Sequence, residues 1–257
     1  MLKQWNSVLK YCLLGSTLLM SSSFILIWAP ISVANVTFHP PRIPAPREST
    51  GGASREGNNC LATETETTSA TDAVTPLLPS SGIGMTVKER PTILVYIPQT
   101  PAKKALFSVQ DEQATNLYQT TINLPKKPGV MVIELPGSVP ALQTGKNYQW
   151  SLAMICSAEL EPDSPLVSGW IQRTQVPKSL KNQGNLSPSL KLVAHLASSG
   201  VWYDTIFELA KLRQAQPHNS TITATWQQLL ESVGLKNISN APLLNQSTED
   251  SYTLPSN

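Results

Sequence analysis

The chain has 257 residues and a formal net charge of only +2, and 14% of its residues are charged. This nearly neutral, evenly mixed composition gives no electrostatic reason to bind nucleic acid or an anionic membrane surface, so we expect neither partner. The length allows one large core with an accessory element, or two small domains.

Residues 1–34 have the pattern of an export signal. Lys3 and Lys10 give a positive start, residues 11–31 carry no charge, and residues 32–34 read Ser-Val-Ala, a small-x-small cleavage pattern. Removing the segment takes away two lysines and no acid, which leaves 17 basic and 17 acidic side chains. The alternative is an uncleaved anchor, because the apolar run approaches the length of a membrane span. We expect export to the periplasm or the extracellular space, with no stable span after cleavage.

Residues 35–81 predict an extended arm. Prolines over residues 39–47 are too dense for a helix or a central strand and favour polyproline II structure. Arg42, Arg47 and Arg55 are candidate partner-binding residues, because guanidinium groups spaced along an arm could clamp an anion or a carboxylate. The alternative is that these arginines only keep a linker soluble.

The cysteines favour a disulfide. Cys12 lies in the predicted signal, whereas Cys60 and Cys156 form an even pair in a chain that we expect to be exported. A bond between them would tie the arm to the following domain. A thiol nucleophile or a metal ligand is the alternative, although neither cysteine has a nearby histidine or a second cysteine at ligand spacing. We predict no metal and no cofactor.

Residues 82–178 predict an antiparallel β-sandwich. Short β-branched and aromatic segments are separated by proline, glycine and lysine turns, with no helical period between them. The predicted strands cover residues 92–97, 106–110, 117–124, 130–135, 148–156 and 167–176.

Residues 142–150 add a more specific indication. This segment resembles the approach to the penultimate strand of fibronectin type III and related immunoglobulin-like sandwiches. In those domains a glycine turn precedes a tyrosine whose hydroxyl bonds back to the corner backbone. The resemblance assigns that role to Tyr148.

Residues 187–239 predict a helical module, and residues 240–257 a flexible tail. Apolar residues recur at helical spacing between proline and glycine stops. The three predicted helices extend from Ser187-Pro188 to Gly200, from Trp202 to Pro217, and through Trp226 to Gly234. The first two resemble a single tetratricopeptide unit. Because a lone unit cannot bury its own face, we expect the module to pack on the sandwich or on a partner.

Trp202 and Tyr203 are further candidate partner-binding residues, since exposed aromatic faces bind sugars or proline-rich peptides. The alternative is core packing, because the periodicity points tryptophans 150, 170, 202 and 226 inward.

No catalytic residue is assigned. Asp111 and Glu112 are adjacent at a strand end and would point to opposite faces. His39, His195 and His218 are scattered along the chain, and no local motif links them to a nucleophile or a metal.

A series of sequence blocks together resembles a cyanobacterial family known as domain of unknown function 928. The blocks are 40–42, 51–55 ahead of Cys60, 91–98, 110–112, 124–136, 145–156, 169–173, 200–204 and 226–235. The resemblance covers nearly the whole mature chain, and both mature cysteines fit it. It implies an exported cyanobacterial protein with no assigned activity.

The sequence therefore predicts an α+β protein, in which an antiparallel immunoglobulin- or fibronectin-like β-sandwich is followed by a small helical module with a tetratricopeptide-like hairpin. We expect a non-catalytic protein-interaction module of the cell envelope with a protein partner. The main alternative is an envelope hydrolase or carbohydrate-active protein with a site between sandwich and helices. A purely structural envelope component is a third possibility. Convergence of ionisable side chains in a cleft would favour the hydrolase, whereas a largest exposed patch that is apolar and flat would favour the interaction module.

Overall fold

The computed structural model describes residues 36–41, 73–162, 164–181 and 188–244. These residues belong to one compact unit. The predicted signal and most of the predicted arm, including Arg42, Arg47, Arg55 and Cys60, lie outside them. Within the described ranges, no helix is long and apolar enough to cross a membrane.

Eight strands form two sheets in the described part of the chain. They are β1 (Thr75–Pro76), β2 (Ile83–Thr86), β3 (Thr92–Ile97), β4 (Lys104–Asp111), β5 (Asn116–Asn123), β6 (Gly129–Glu134), β7 (Asn147–Ile155) and β8 (Leu166–Arg173). One sheet has the order β1-β3-β6 and the other has the order β2-β8-β7-β4-β5. All neighbouring strands are antiparallel except β2 and β8, which are parallel.

The helices follow the strands in the chain. They are α1 (Lys178–Lys181), α2 (Leu190–Ser198), α3 (Trp202–Ala215) and α4 (Ser220–Ser232), followed by a 3₁₀ turn (Lys236–Ile238). Ser189 caps α2, because its hydroxyl accepts a hydrogen bond from the backbone N–H of Leu192 at 3.3 Å. The predicted start at Ser187-Pro188 is thus wrong by two residues. Gly200, with φ of 73°, ends this helix in the left-handed conformation that glycine adopts readily.

One hydrophobic core joins the sheets and the helices. All six residues of β3 are buried, and because side chains alternate along a strand, both of its faces are covered. Helix α3 contacts β2 and β3. The fully buried side chains include Trp150, Trp202, Trp226, Phe107, Leu152 and Ile171. The helices therefore complete the core of the sheets and do not form a separate module beside it.

The chain returns to the first sheet after the helices. The N–H of Val130 donates to the carbonyl of Pro242 at 2.8 Å, and the N–H of Leu244 donates to the carbonyl of Val130 at 2.9 Å. Leu243 thereby forms a parallel bridge with Val130 on the outer edge of β6. Part of the predicted flexible tail, residues 242–244, is thus attached to the first sheet.

The mixed α+β class predicted from the sequence is confirmed, with two sheets followed by helices. The six predicted strands correspond to β3–β8, and the three predicted helices correspond to α2–α4. Two strands were not predicted. β1 lies within the predicted arm, and β2 adds a parallel pair to a sheet expected to be purely antiparallel.

Candidate interaction site

The first turn of α3 is inserted against both sheets. Trp202 is fully buried, its indole N–H donates to the carbonyl of Leu77 at 2.7 Å, and its ring meets Phe38 edge to face at 4.8 Å. Tyr203 lies next in the chain. Its hydroxyl accepts from the indole N–H of Trp150 at 2.8 Å and donates to the carbonyl of Trp170 at 3.0 Å. The hydroxyl thus links α3 to β7 and β8.

Two glycines make room for these rings. A Cβ atom on Gly84 of β2 would lie 2.8 Å from the Tyr203 ring and 3.1 Å from Trp202. A Cβ atom on Gly169 of β8 would lie 2.8 Å from the indole nitrogen of Trp150. The sheet therefore approaches the aromatic side chains more closely than an alanine-bearing strand could.

Asp204 is a buried carboxylate in the same turn. One oxygen, Oδ2, accepts from the Thr86 hydroxyl at 2.8 Å and from the backbone N–H of Val87 at 3.1 Å. The other, Oδ1, has no hydrogen-bond partner within the described ranges. Burial raises the pKa of this carboxyl, although the bond from Thr86 and the positive charge of Lys88 oppose the rise. Burial also raises the pKa of the Tyr203 phenol, so its hydroxyl stays protonated and can donate.

Glu208 lies one helical turn after Asp204 and pairs with two lysines. Its carboxylate is 3.6 Å from Nζ of Lys88 and 2.7 Å from Nζ of Lys211. Both ammonium groups also lie over the Phe207 ring, at 4.5 and 5.0 Å from its centre. The Glu208 carboxylate is thus paired with two lysines, whereas the Asp204 carboxyl is buried beside it with one oxygen that has no described partner.

The contact between the first turn of α3 and the two sheets, here named the α3 junction, contains both predicted aromatic candidates. Trp202 is 0% exposed and Tyr203 is 2% exposed, so neither side chain lies on a surface that a partner could reach. The sequence predicted that these side chains contact a partner. The structure shows instead that they connect α3 to the sheets. Trp150, Trp170 and Trp226 are buried too, as the periodicity predicted.

The other candidates are not brought together with this junction. Cys156 is half-buried after β7, and the pairing with Cys60 stays a prediction because Cys60 lies outside the described residues. Among the residues that the structure describes, no group of three or more histidine, cysteine, aspartate or glutamate side chains could hold a metal ion. Asp111 caps its own turn, since Oδ1 accepts from the N–H groups of Gln113 and Thr115, both at 2.9 Å. The bond from Thr115 is the main reason why the pKa of Asp111 is lowered.

A candidate surface for a partner is the free edge of β5, which sequence reasoning did not identify. β5 pairs with β4 on one side, and no described strand pairs with its other side. Its sequence, Asn-Leu-Tyr-Gln-Thr-Thr-Ile-Asn, contains no charged residue and no proline. Sheet edges are usually protected by such residues, because unpaired backbone groups recruit further strands. The other edge of this sheet, β2, is in contact with α3.

The register shows which backbone groups face this edge. The N–H of Leu124 donates to the carbonyl of Lys103 at 2.8 Å, so this pair is of the hydrogen-bonded kind. Hydrogen-bonded and non-hydrogen-bonded pairs alternate along antiparallel strands. The backbone groups of Tyr118, Thr120 and Ile122 therefore point toward β4. The N–H and carbonyl groups of Gln119 and Thr121 point to the free side. A pairing shift beside Val109 and Gln110 leaves Leu117 without a partner in β4.

Comparison with known proteins gives a family without an activity. No curated protein matches the chain in sequence. The family described as Domain of Unknown Function (DUF928) matches residues 50–243, a span that includes the sheets, the helices and the Val130–Leu243 bridge. Because this span is about three quarters of the sequence, the chain belongs to the DUF928 family.

Proposed function

We propose that this protein is an exported cyanobacterial envelope protein that acts without catalysis, as a module that binds a protein partner. The observation that carries the proposal is the free edge of β5. An uncharged edge strand without proline offers a row of backbone donors and acceptors to an extended segment of a partner, which is a common mode of peptide recognition. The pairing of Glu208 with two lysines favours this function over the hydrolase alternative.

The experiment compares three forms of the full chain in its native host. Thr121→Pro removes a donor that faces the free edge, and Thr121→Val is the matched control that keeps it. We expect wild type and Thr121→Val to capture the same protein partners, and Thr121→Pro to lose them. Equal capture by all three forms would show that the edge of β5 does not bind the partner. Hydrolysis of an envelope glycan or peptide by the purified chain would replace binding with catalysis.

The finer fold assignment belongs to the same proposal. We infer an immunoglobulin- or fibronectin-like sandwich, supported by the two sheet orders and by Tyr148 at the start of the penultimate strand. Its hydroxyl accepts from the backbone N–H of Gln143 at 2.9 Å, as a tyrosine corner requires. The α2–α3 pair is the proposed tetratricopeptide-like hairpin.

Export and the disulfide can be tested together. Signal cleavage after Ala34 is supported by the charge and small-residue pattern, and a Cys60–Cys156 bond suits an oxidising compartment. N-terminal sequencing of the exported form should begin at Asn35, and thiol labelling of that form, unfolded without reductant, should find no free cysteine. An N-terminus at Met1 would indicate anchoring, and two reactive thiols would exclude the disulfide.

A further inference from the structure

We infer that the free edge of β5 pairs with the same edge of a second copy of this chain. The two five-stranded sheets would form one continuous sheet across a two-fold axis. This inference rests on the proposed function, because it names the occupant of the same edge. Three features of β5 and its flanking residues support it: the position of the Gln119 and Thr121 backbone groups that face away from β4, the chemistry of its side chains, and the charges at its two ends.

The backbone groups fix the register. In two antiparallel copies related by a two-fold axis, the same face of each sheet points to the same side. Odd-numbered residues of one copy must therefore pair with odd-numbered residues of the other, and even-numbered residues with even-numbered ones. The part of β5 that pairs regularly with β4 is Tyr118–Asn123. An axis at Thr120 keeps the pairing within this regular part. Gln119 and Thr121 of one copy then form hydrogen-bonded pairs with Thr121 and Gln119 of the other, through groups that point away from β4.

The side chains match themselves in this register. Tyr118 of one copy lies opposite Ile122 of the other, which is a favourable aromatic and β-branched pair. Thr120 lies opposite its own copy on the axis, and Gln119 lies opposite Thr121. No charged side chain of β5 meets its like across the axis, because the strand carries none.

The flanking charges are complementary. The exposed Lys126 and Lys127 follow the C-terminal end of β5, and Asp111 and Glu112 precede its N-terminal end. Antiparallel pairing brings the basic end of each copy to the acidic end of the other, twice in the dimer. A parallel or shifted arrangement would lose this match. Charge complementarity therefore favours a second copy as the occupant.

The test is the mass of the purified full chain by sedimentation equilibrium over a range of concentrations. We expect a reversible monomer–dimer equilibrium for wild type and Thr121→Val, and a monomer for Thr121→Pro. Reversing the charge at Lys126 and Lys127 should weaken the dimer by up to about tenfold at low salt. Adding Glu112→Lys to Lys127→Glu should restore part of the affinity that Lys127→Glu loses alone.

A cross-linking variant reads the register directly. In a non-hydrogen-bonded antiparallel pair the Cα atoms are about 4.5 Å apart, within the range of a disulfide. Thr120→Cys should thus give a covalent dimer on mild oxidation, whereas Asn116→Cys should not. This measurement decides the matter even if Thr121→Pro is poorly folded.

Three results would overturn the inference: a wild-type monomer at every concentration, a dimer that survives Thr121→Pro, or open-ended association. These outcomes are separable from failure of the proposed function. A monomer that still loses partner capture in Thr121→Pro would keep the edge as a binding site for another protein. If the chain dimerises through β5 but Thr121→Pro captures partners as wild type does, the self-pairing is supported and partner binding takes place at another surface.

Discussion

The α3 junction and the β5 edge close the five-stranded sheet in opposite ways. At β2, the sheet ends against a helix, and the buried hydrogen bonds of Trp202, Tyr203 and Asp204 satisfy backbone and side-chain groups. At β5, the sheet ends in a strand whose outward backbone groups have no described partner strand. We expect the first edge to be required for folding. We expect the second to tolerate substitutions without loss of the core, which suits the binding role proposed for it.

Removal of the helices should have the largest effect. A chain truncated after Gln175 loses Trp202, Leu209, Trp226 and Leu229, all fully buried. Each contributes about 1.5–3 kcal/mol, so their sum approaches the usual stability of a whole domain. We expect an aggregated or unfolded product by sedimentation and circular dichroism. A soluble fragment with β-type circular dichroism and cooperative unfolding would show that the junction is dispensable.

Single substitutions at the α3 junction should have the next largest effect on the free energy of unfolding. Trp202→Ala leaves a cavity between α3 and the sheets and should lower the free energy of unfolding by about 3–5 kcal/mol in urea denaturation. Trp202→Phe keeps most of the ring and loses the bond to Leu77, so its loss should be nearer 1 kcal/mol. Leu160→Ala is the matched control, because Leu160 is 44% exposed. Equal losses for all three variants would contradict the packing described here.

Asp204 should give a smaller, pH-dependent effect. Asp204→Ala leaves the Thr86 hydroxyl and the Val87 N–H without their acceptor and should cost roughly 1–3 kcal/mol. Asp204→Asn retains an acceptor. Folding raises the pKa of the carboxyl above 3.8, so the folded state holds its proton more tightly than the unfolded state. The stability of wild type relative to Asp204→Asn should therefore be greatest at acidic pH and fall as the pH rises through the raised pKa. Urea titrations at several pH values measure this, and a flat difference would refute it.

The smallest effect on stability is expected at the β5 edge. Thr121→Pro removes an N–H that faces away from β4 and should change the free energy of unfolding by less than about 1 kcal/mol. Thr120→Pro removes an N–H that bonds to β4 and should cost more, roughly 1–3 kcal/mol, because a ladder hydrogen bond is lost and its acceptor in β4 is left unpaired. Thermal unfolding of the pair checks the assigned alternation. A larger loss of unfolding free energy for Thr121→Pro than for Thr120→Pro would show that the assigned alternation is reversed. The proposed dimer register would then be wrong as well.

Local patterns predicted most of the elements. The alternation in β7 is a strong signal because alternate side chains along the strand are buried. The apolar repeats of α2 and α4 are strong because the buried residues of each helix recur at helical spacing. β1 and β2 were not predicted, since they are only two and four residues long and lie among prolines, serines and glycines. Their pairing with β3 and β8 depends on partners distant in sequence.

The candidate site was harder to predict for a related reason. Trp202 and Tyr203 were predicted to bind a partner, whereas the structure buries both side chains. Whether an aromatic side chain faces a partner or the protein's own sheet depends on which strands meet it. Likewise, the uncharged sequence of β5 is visible in the chain, yet its importance depends on the strand being at an edge. Strand order is a tertiary property that short motifs do not specify.

The contact between Thr86 and Asp204 has a kinetic consequence. It joins residues separated by 118 positions, and the bond from Trp202 to Leu77 spans 125. Neither can form until the chain is available as far as α3, and contacts of such long range slow folding because the intervening loop must close first. A chain that has not yet gained α3 thus lacks the contacts that complete its core. If the protein is exported unfolded, this late closure would help to keep the nascent chain competent for translocation until α3 has emerged.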